Sequence, residues 1–386
     1  MASAIPFIAH DFHLSPVAMG GILTAFFVGY ALTQIPGGVL ADRYGPTVVL
    51  TASICWWSVM TALTGMASGP VALFVIRILF GLGEGPYPAA SGKALSMWLP
   101  PQELGRATGI YQAATMVGAA VAPLFTVWLI TKGSWRWVFY SLLIPGIALA
   151  LIMARVLRRG ENDGHHDVSN EVGQLHGAPT AKIRWWTSLQ TPPVLWCAGC
   201  FFLSNMAMWG LMNWLPTYLL RAWGFSAGRM GALAAITQIA GALGCMLGGY
   251  ISDRFFNGRP RTLIALGLFA NAACTYLAAT APSGAWAVAA LVGVFFFANV
   301  SSVPLFTVPL TVVPKDAVGG AYAVVNMAGQ IAGVLSPITM GYTLELTGSN
   351  FHVMLYLMVG LTAAAIYPAI RIQQSPASVE LEQRSV

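Results

Sequence analysis

Apolar runs of about 20 residues recur from residue 17 to residue 371, separated by short polar or Gly/Pro-rich turns. Coiled as a helix, a run of that length spans about 30 Å, the thickness of a bilayer's hydrocarbon core. Alternating barrel strands do not fit continuous apolar stretches, whereas helices satisfy every backbone group internally. Composition agrees: 57% of the 386 residues are hydrophobic and 8% charged, against roughly a quarter charged in a soluble domain. The mean hydropathy is +0.70. The chain therefore reads as an all-α integral membrane protein. Its spans are predicted at 17–40, 47–67, 70–92, 106–130, 137–157, 193–219, 228–251, 261–281, 285–310, 318–343 and 352–371. Ahead of them stands only "MASAIPFIAHDFHLS", whose apolar part of about nine residues is too short to cross and reads as the tail of a truncated first helix. It has no basic segment before its apolar residues, so it does not read as a cleavable signal.

Basic residues set the orientation, because Lys and Arg stay in cytoplasmic loops. Arg43, Lys93, Arg106, Arg155, Arg158, Arg159, Lys182, Arg184, Arg254, Arg259, Arg261, Lys315, Arg371 and Arg384 fall on one side; Lys132, Arg136, Arg221 and Arg229 fall on the other. The first side is taken as cytoplasmic, in a bacterial inner (plasma) membrane. The net charge of +6 then reports topology and requires no nucleic-acid partner. Cys55, Cys197, Cys200, Cys245 and Cys274 all lie within predicted spans, as packing thiols rather than a disulfide frame or zinc cluster. Trp135 and Trp137, like Trp185 and Trp186, are read as marking re-entry at the interface.

Four regions follow: an N-terminal helical half (1–157), a cytoplasmic linker (158–190), a six-helix C-terminal half (191–372) and a cytoplasmic tail (373–386). The linker carries His165, His166 and His176, which nothing gathers into a metal site. "GGVLADRYG" (37–45) closes one span and "GGYISDR" (248–254) another, placing Asp42 and Asp253 at equivalent points 211 residues apart (42 to 253). Gly38 and Gly45 permit close approach and turning, and the Asp42–Arg43 and Asp253–Arg254 pairs suit a tight loop at helix termini. Two copies in register indicate parallel internal duplication.

Those motifs, with "DFHLSPVAMGGILTAFFVGYALTQIPGGVLADRYG", "RILFGLGEGPYPAASGKALSMWLPPQELGRATGIYQ", "WRWVFY", "NWLPTYL" and "AYAVVNMAGQIAGVLSPITMG", make the chain resemble the major facilitator superfamily. Within it, the resemblance is to the anion:cation symporter family of hexuronate- and galactonate-type transporters. It implies two pseudo-symmetric six-helix halves, the first helix truncated here, that rock about a central site. It also implies that Arg77 normally meets an acidic residue of the first helix, and that Tyr30 faces the cavity.

Arg77 and Glu84 are two turns apart in a span, on nearly one face yet about 10 Å apart along the axis, so they do not pair directly. An intramembrane charge faces the bundle interior or water and marks a pathway. Arg77 stays cationic and suits an organic anion. Glu84 is expected to be the proton carrier, since burial makes a lone carboxylate costly. Tyr30 with Gln34, Trp209 with Asn213, and Asn326 with Gln330 each share a helix face, and Gln112 and Thr115 are further candidates for the substrate site. The alternative for such pairs is hydrogen bonding between helices that holds the bundle together. Pro304, Pro309 and Pro314, and the "GLGEGPYP" stretch, permit kinks. No HExxH or GxSxG pattern suggests an enzyme, and no cofactor is implied. The leading expectation is proton-coupled symport of a sugar acid by a monomer. An efflux antiporter of the same fold and a transport-dead truncated product are the alternatives.

Overall fold

A computed structural model describes residues 1–98, 101–162, 191–256, 260–312 and 318–372. The chain divides into two compact units, Met1–Pro179 and Thr180–Val386. The first contains α1 (Ile5–Asp11), α2 (Pro16–Tyr44), α3 (Pro46–Met66), α4 (Pro70–Glu84), α5 (Tyr87–Trp98), α6 (Pro101–Lys132), α7 (Trp135–Ser141) and α8 (Leu143–Asn162). The second contains α9 (Pro192–Arg221), α10 (Ala227–Phe255), α11 (Pro260–Ala279), α12 (Gly284–Val312), α13 (Val318–Leu346) and α14 (Phe351–Arg371). Among the described residues nine helical stretches are long and apolar enough to cross a membrane. The expected spans at 106–130 and 318–343 fall within α6 and α13, continuous helices of 32 and 29 residues.

Proline starts many of these helices. Pro16, Pro46, Pro70 and Pro192 stand in the first turn, where the missing N–H has no intrahelical partner to lose. Ser15, Ser134, Ser226 and Asn350 cap α2, α7, α10 and α14 by accepting a backbone N–H. Proline also breaks one span: the apolar run predicted as a single helix over 70–92 is α4 and α5, parted at Gly85–Pro86. Pro86 and Pro88 have no N–H to offer the carbonyls of Leu82 and Glu84, so the ladder fails just beyond Glu84. By contrast, α12 continues through Pro304 and Pro309; Pro314 lies outside the described residues. Helix α8 runs past residue 158 to Asn162, into the stretch expected to begin the linker.

Glycine seams hold each unit. In lipid the drive to associate comes from close van der Waals packing, which needs small residues. On α2, Gly29 meets the backbone of Ile78 and Leu82, and Gly37 meets Pro86; on α4, Gly81 meets Phe26 and Tyr30. The second unit repeats the device: on α10, Gly244 lies against Phe296 and Gly248 against Val300, both on α12. Gly37 and Gly248 are again 211 residues apart (37 to 248), so the duplication read from the Asp–Arg motifs extends to helix packing. Gly45 turns α2 into α3 with φ of +80°, a backbone that favours glycine.

Trp135 opens the stretch Trp135–Leu157, which is long and apolar enough to cross a membrane; it is 2% exposed, while Trp137 is 60% exposed. The Trp135 indole donates to Asp11 Oδ2 at 2.7 Å, and the Arg136 guanidinium lies 4.4 Å over its ring. Arg136 also pairs with Asp11 at 3.7 Å and donates to the Ala67 carbonyl. A buried indole with its N–H bonded is satisfied without the headgroup region. The five cysteines are free thiols; Cys197 and Cys200 sit in the core of the second unit with Val194, Ile264, Leu268 and Leu305.

Replacing Gly81 with Leu drives a side chain into the α2 backbone and is expected to cost about 1–3 kcal/mol. Gly21→Ala, with nothing within 4 Å of its new methyl, serves as control. Thermal unfolding in detergent should show a lowered midpoint for the first and little change for the second.

Candidate functional site

The residues that bear charge inside the first unit sit on α4, and the seam with α2 fixes their height. Arg77 is 6% exposed. Its Nη2 donates to Thr64 Oγ1 on α3 at 2.9 Å, and Thr64 passes its own proton to the Met60 carbonyl at 2.9 Å. The guanidinium carbon lies 4.7 Å over the Phe80 ring, and Phe80 packs on Phe26, which packs on Tyr30. Arg77 Nε has no hydrogen-bond partner. Among the described residues no carboxylate stands within ion-pair distance of Arg77. A cation held this way, with a buried donor left open, is set to receive an acceptor or an anion.

Two turns along, Glu84 borders a cavity of about 410 Å³ inside this unit. Its walls are Phe80 of α4, Trp57, Ser58 and Thr61 of α3, and Leu142, Pro145, Gly146 and Leu149 before and on α8. Ser58 and Thr61 donate to the Ile54 and Trp57 carbonyls of their own helix. Their oxygens therefore offer lone pairs, which can accept from a protonated glutamic acid. Glu84 is also the last residue before the Gly85–Pro86 break, so its backbone is at a joint rather than in mid-helix. On the α2 side, Gly85 meets the backbone of Tyr30 and Gln34, which places both beside that joint. The Gln34 side chain is half-buried and makes no hydrogen bond to any described residue.

The other candidates separate by unit. In the first, Thr115 of α6 is exposed, and the side chain of Gln112 lies outside the described set. In the second, Trp209 and Asn213 lie on the half-exposed face of α9, where Asn213 Nδ2 donates to the Trp209 carbonyl at 2.8 Å. Asn326 and Gln330 of α13 are half-buried and hydrogen-bond to no described residue. Interhelical bonding, the alternative reading of those amides, has no support at Gln34, Asn326 or Gln330 among the described residues.

In the duplicated motif, a methyl placed on Gly38 would come 4.0 Å from the Ala89 side chain, and Arg43 is exposed with its guanidinium 5.4 Å over Tyr44. Arg254 is exposed; the side chains of Asp42 and Asp253 lie outside the described set. Lys93 donates to the Ala41 carbonyl at 3.1 Å, tying α5 to the last turns of α2. Three neighbours of the candidate residues were not anticipated from the sequence. Thr64 and Phe80 carry no signal of their own until Arg77's surroundings are known. Asn205, by contrast, stands one and two turns before Trp209 and Asn213 and was visible as a third member of that face.

Comparison with known proteins agrees with this architecture. The family described as Major Facilitator Superfamily matches residues 1–337. The hexuronate transporter of Bacillus subtilis (strain 168) is 28% identical over 394 residues, covering 99% of this chain and 93% of that protein. The probable sulfoacetate transporter SauU of Cupriavidus necator is 32% identical over 362 residues, covering 90% and 83%. In fold, the chain is similar to the crystal structure of a bacterial homolog to the human lysosomal transporter Spinster, inward-facing and unoccupied. That match has a TM-score of 0.79 at 19% identity, with 97% and 94% covered.

Thr64→Val removes the acceptor of a buried guanidinium and is expected to cost about 1–3 kcal/mol of stability. Thr64→Ser keeps the hydroxyl and should recover most of it, read by thermal unfolding of both variants.

Proposed function

Because the chain belongs to the Major Facilitator Superfamily, we propose that it carries a small organic anion together with a proton across a bacterial inner membrane by alternating access. The substrate class is a sugar acid such as a hexuronate or aldonate. The observation that carries this reading is Arg77: a buried guanidinium with Nε unpartnered and no carboxylate within ion-pair distance among the described residues. A charge placed in the span at a cost of at least about 2.5 kcal/mol is explained by an anionic solute that completes its hydrogen bonds. The printed activities of the relatives, hexuronate and sulfoacetate transport, support an anionic cargo.

Glu84 couples the proton to the anion in this scheme. Protonated, it adds no negative charge near an incoming carboxylate and donates to the Ser58 or Thr61 oxygens. Ionised, it repels the anion and restores a charge that discourages return. The two solutes thereby favour each other's binding, which is a reciprocal coupling free energy. The Gly85–Pro86 joint beside Glu84 gives the helix a place to bend as the halves rock about the site. The protein works as a monomer, with the linker and C-terminal tail on the cytoplasmic side and the Asp–Arg loops assisting the switch.

The test is uptake of labelled hexuronates and aldonates into proteoliposomes. An inward proton gradient should drive accumulation above equilibrium, and collapsing it should abolish accumulation. Glu84→Gln should lose gradient-driven accumulation while exchange of internal for external substrate continues. Equal proton dependence in that variant removes Glu84 from the coupling step. Arg77→Gln should lower kcat/KM for the anion by at least about tenfold, and an unchanged value removes Arg77 from the site.

A further inference from the structure

The cavity beside Glu84 is larger than a proton needs. Its volume of about 410 Å³ lies within the roughly 300–1,000 Å³ common to small-molecule sites. Most of its wall is aromatic or aliphatic: Trp57 of α3, Phe80 of α4, and Leu142, Pro145 and Leu149 before and on α8. Leu142 and Leu149 are exposed on the surface of the unit, so the rim is apolar as well.

The polar groups on these walls are chiefly acceptors. Ser58 and Thr61, one turn apart on one face of α3, spend their hydroxyl protons on the Ile54 and Trp57 carbonyls at 2.6 and 2.7 Å. Their oxygens are left with lone pairs. Glu84 makes no hydrogen bond and no ion pair with any described residue, and as a carboxylate it too can only accept. The one side-chain N–H among the walls is the Trp57 indole. No cation lines the cavity. Arg77 is set aside from it, its guanidinium over the Phe80 ring and bonded to Thr64. Helix α3 carries no charged residue, and the first charge on α8 is Arg155, beyond Leu149. The chamber is also deep. Ser58 stands well inside α3, which runs from Pro46 to Met66, so at 1.5 Å per residue it is about 12 Å or more from either end. A phospholipid headgroup stays at the interface, which leaves a small free molecule as the occupant.

We infer that this cavity is a binding site for a small lipophilic primary ammonium. Its apolar body lies against Trp57, Phe80 and Leu149, and its three N–H groups are shared among Glu84, Ser58 and Thr61. A primary ammonium has three donors and no acceptor, which matches three accepting groups. Its charge compensates a carboxylate that an uncharged occupant leaves buried and unpaired, and the Trp57 ring adds cation–π attraction. Seated there, the amine holds the group that the proposed scheme gives to the proton, and so competes with coupling. Only that consequence rests on the transport reading; the site itself does not.

The experiment measures equilibrium binding to the full chain in detergent, with empty micelles subtracted. The probes are 2-phenylethylamine in its ammonium form, its neutral counterpart 2-phenylethanol and the anion phenylacetate. The amine should bind saturably, with a Kd at least about tenfold below those of the alcohol and the anion. Glu84→Gln should remove the preference for amine over alcohol. Leu149→Trp fills the chamber from its rim and should weaken amine and alcohol alike by at least about tenfold. Thr61→Leu, which fills space and removes an acceptor, takes its place if that variant does not fold. No saturable binding above that of micelles, equal affinity for amine and alcohol, or a preference that survives Glu84→Gln overturns the site. Amine binding unchanged in the folded cavity-filling variant overturns it as well. Proton-driven uptake of a sugar acid that persists alongside any of those results leaves the proposed function standing, so the two readings fail separately.

Discussion

Hydrocarbon offers no water, so each polar group placed in a span must be satisfied from within the protein. The structure answers this constraint locally wherever it can. Ser58, Thr61 and Thr64 return their hydroxyl protons to carbonyls one turn back on α3, and Thr275 and Thr343 do the same on α11 and α13. Asn271 reaches across to the Val294 carbonyl instead, binding α11 to α12. Against that background the exceptions are Arg77 Nε, Thr51 Oγ1, Thr217 Oγ1 and Trp223 Nε1, buried without a hydrogen-bond partner among the described residues, together with the half-buried amides of Gln34, Asn326 and Gln330. In the proposed scheme an anionic solute supplies the missing bond of Arg77.

Packing answers a second demand. With lipid as apolar as leucine, helices adhere through closeness, and the glycines of α2 and α10 bring them onto α4 and α12. The equal spacing of Gly37 and Gly248 with Asp42 and Asp253 means that one seam design was used in both units. The difference lies in what each seam presents. The first carries a cation, an acid and a helix break; the second lies beside helices that present amides, with basic residues confined to their ends.

Most of the fold was legible because the period and length of apolar runs are imposed by the bilayer and owe little to distant contacts. The internal repeat was legible for the same reason, as glycines and an Asp–Arg pair recur at fixed spacing. The α4–α5 break was only half legible: "GLGEGPYP" announced a kink, but proline alone does not decide between a bend and a parting, and in α12 the helix continues through Pro304 and Pro309. The burial of Trp135 was not legible, because its indole N–H partner, Asp11 more than a hundred residues away in sequence, leaves no local trace. At the site, Arg77 and Glu84 were plain as charges in an apolar run. Thr64 was not, since its role exists only through the helix that brings it to Arg77.

The bond from Lys93 to the Ala41 carbonyl has a mechanical meaning. It joins the short helix α5 to the end of α2, and the shared cluster of Ala41, Val49, Leu50, Ala90, Ala94 and Leu157 locks in α3 and α8 as well. Upstream of the Gly85–Pro86 joint, α4 is clamped separately, by Gly29 and Gly81 and by the Trp56 indole on the Leu79 carbonyl. The span is thus parted at Gly85–Pro86 into two segments with separate anchorages along the one helix α2, and the parting falls just after Glu84, with Arg77 held on the α4 side by Thr64.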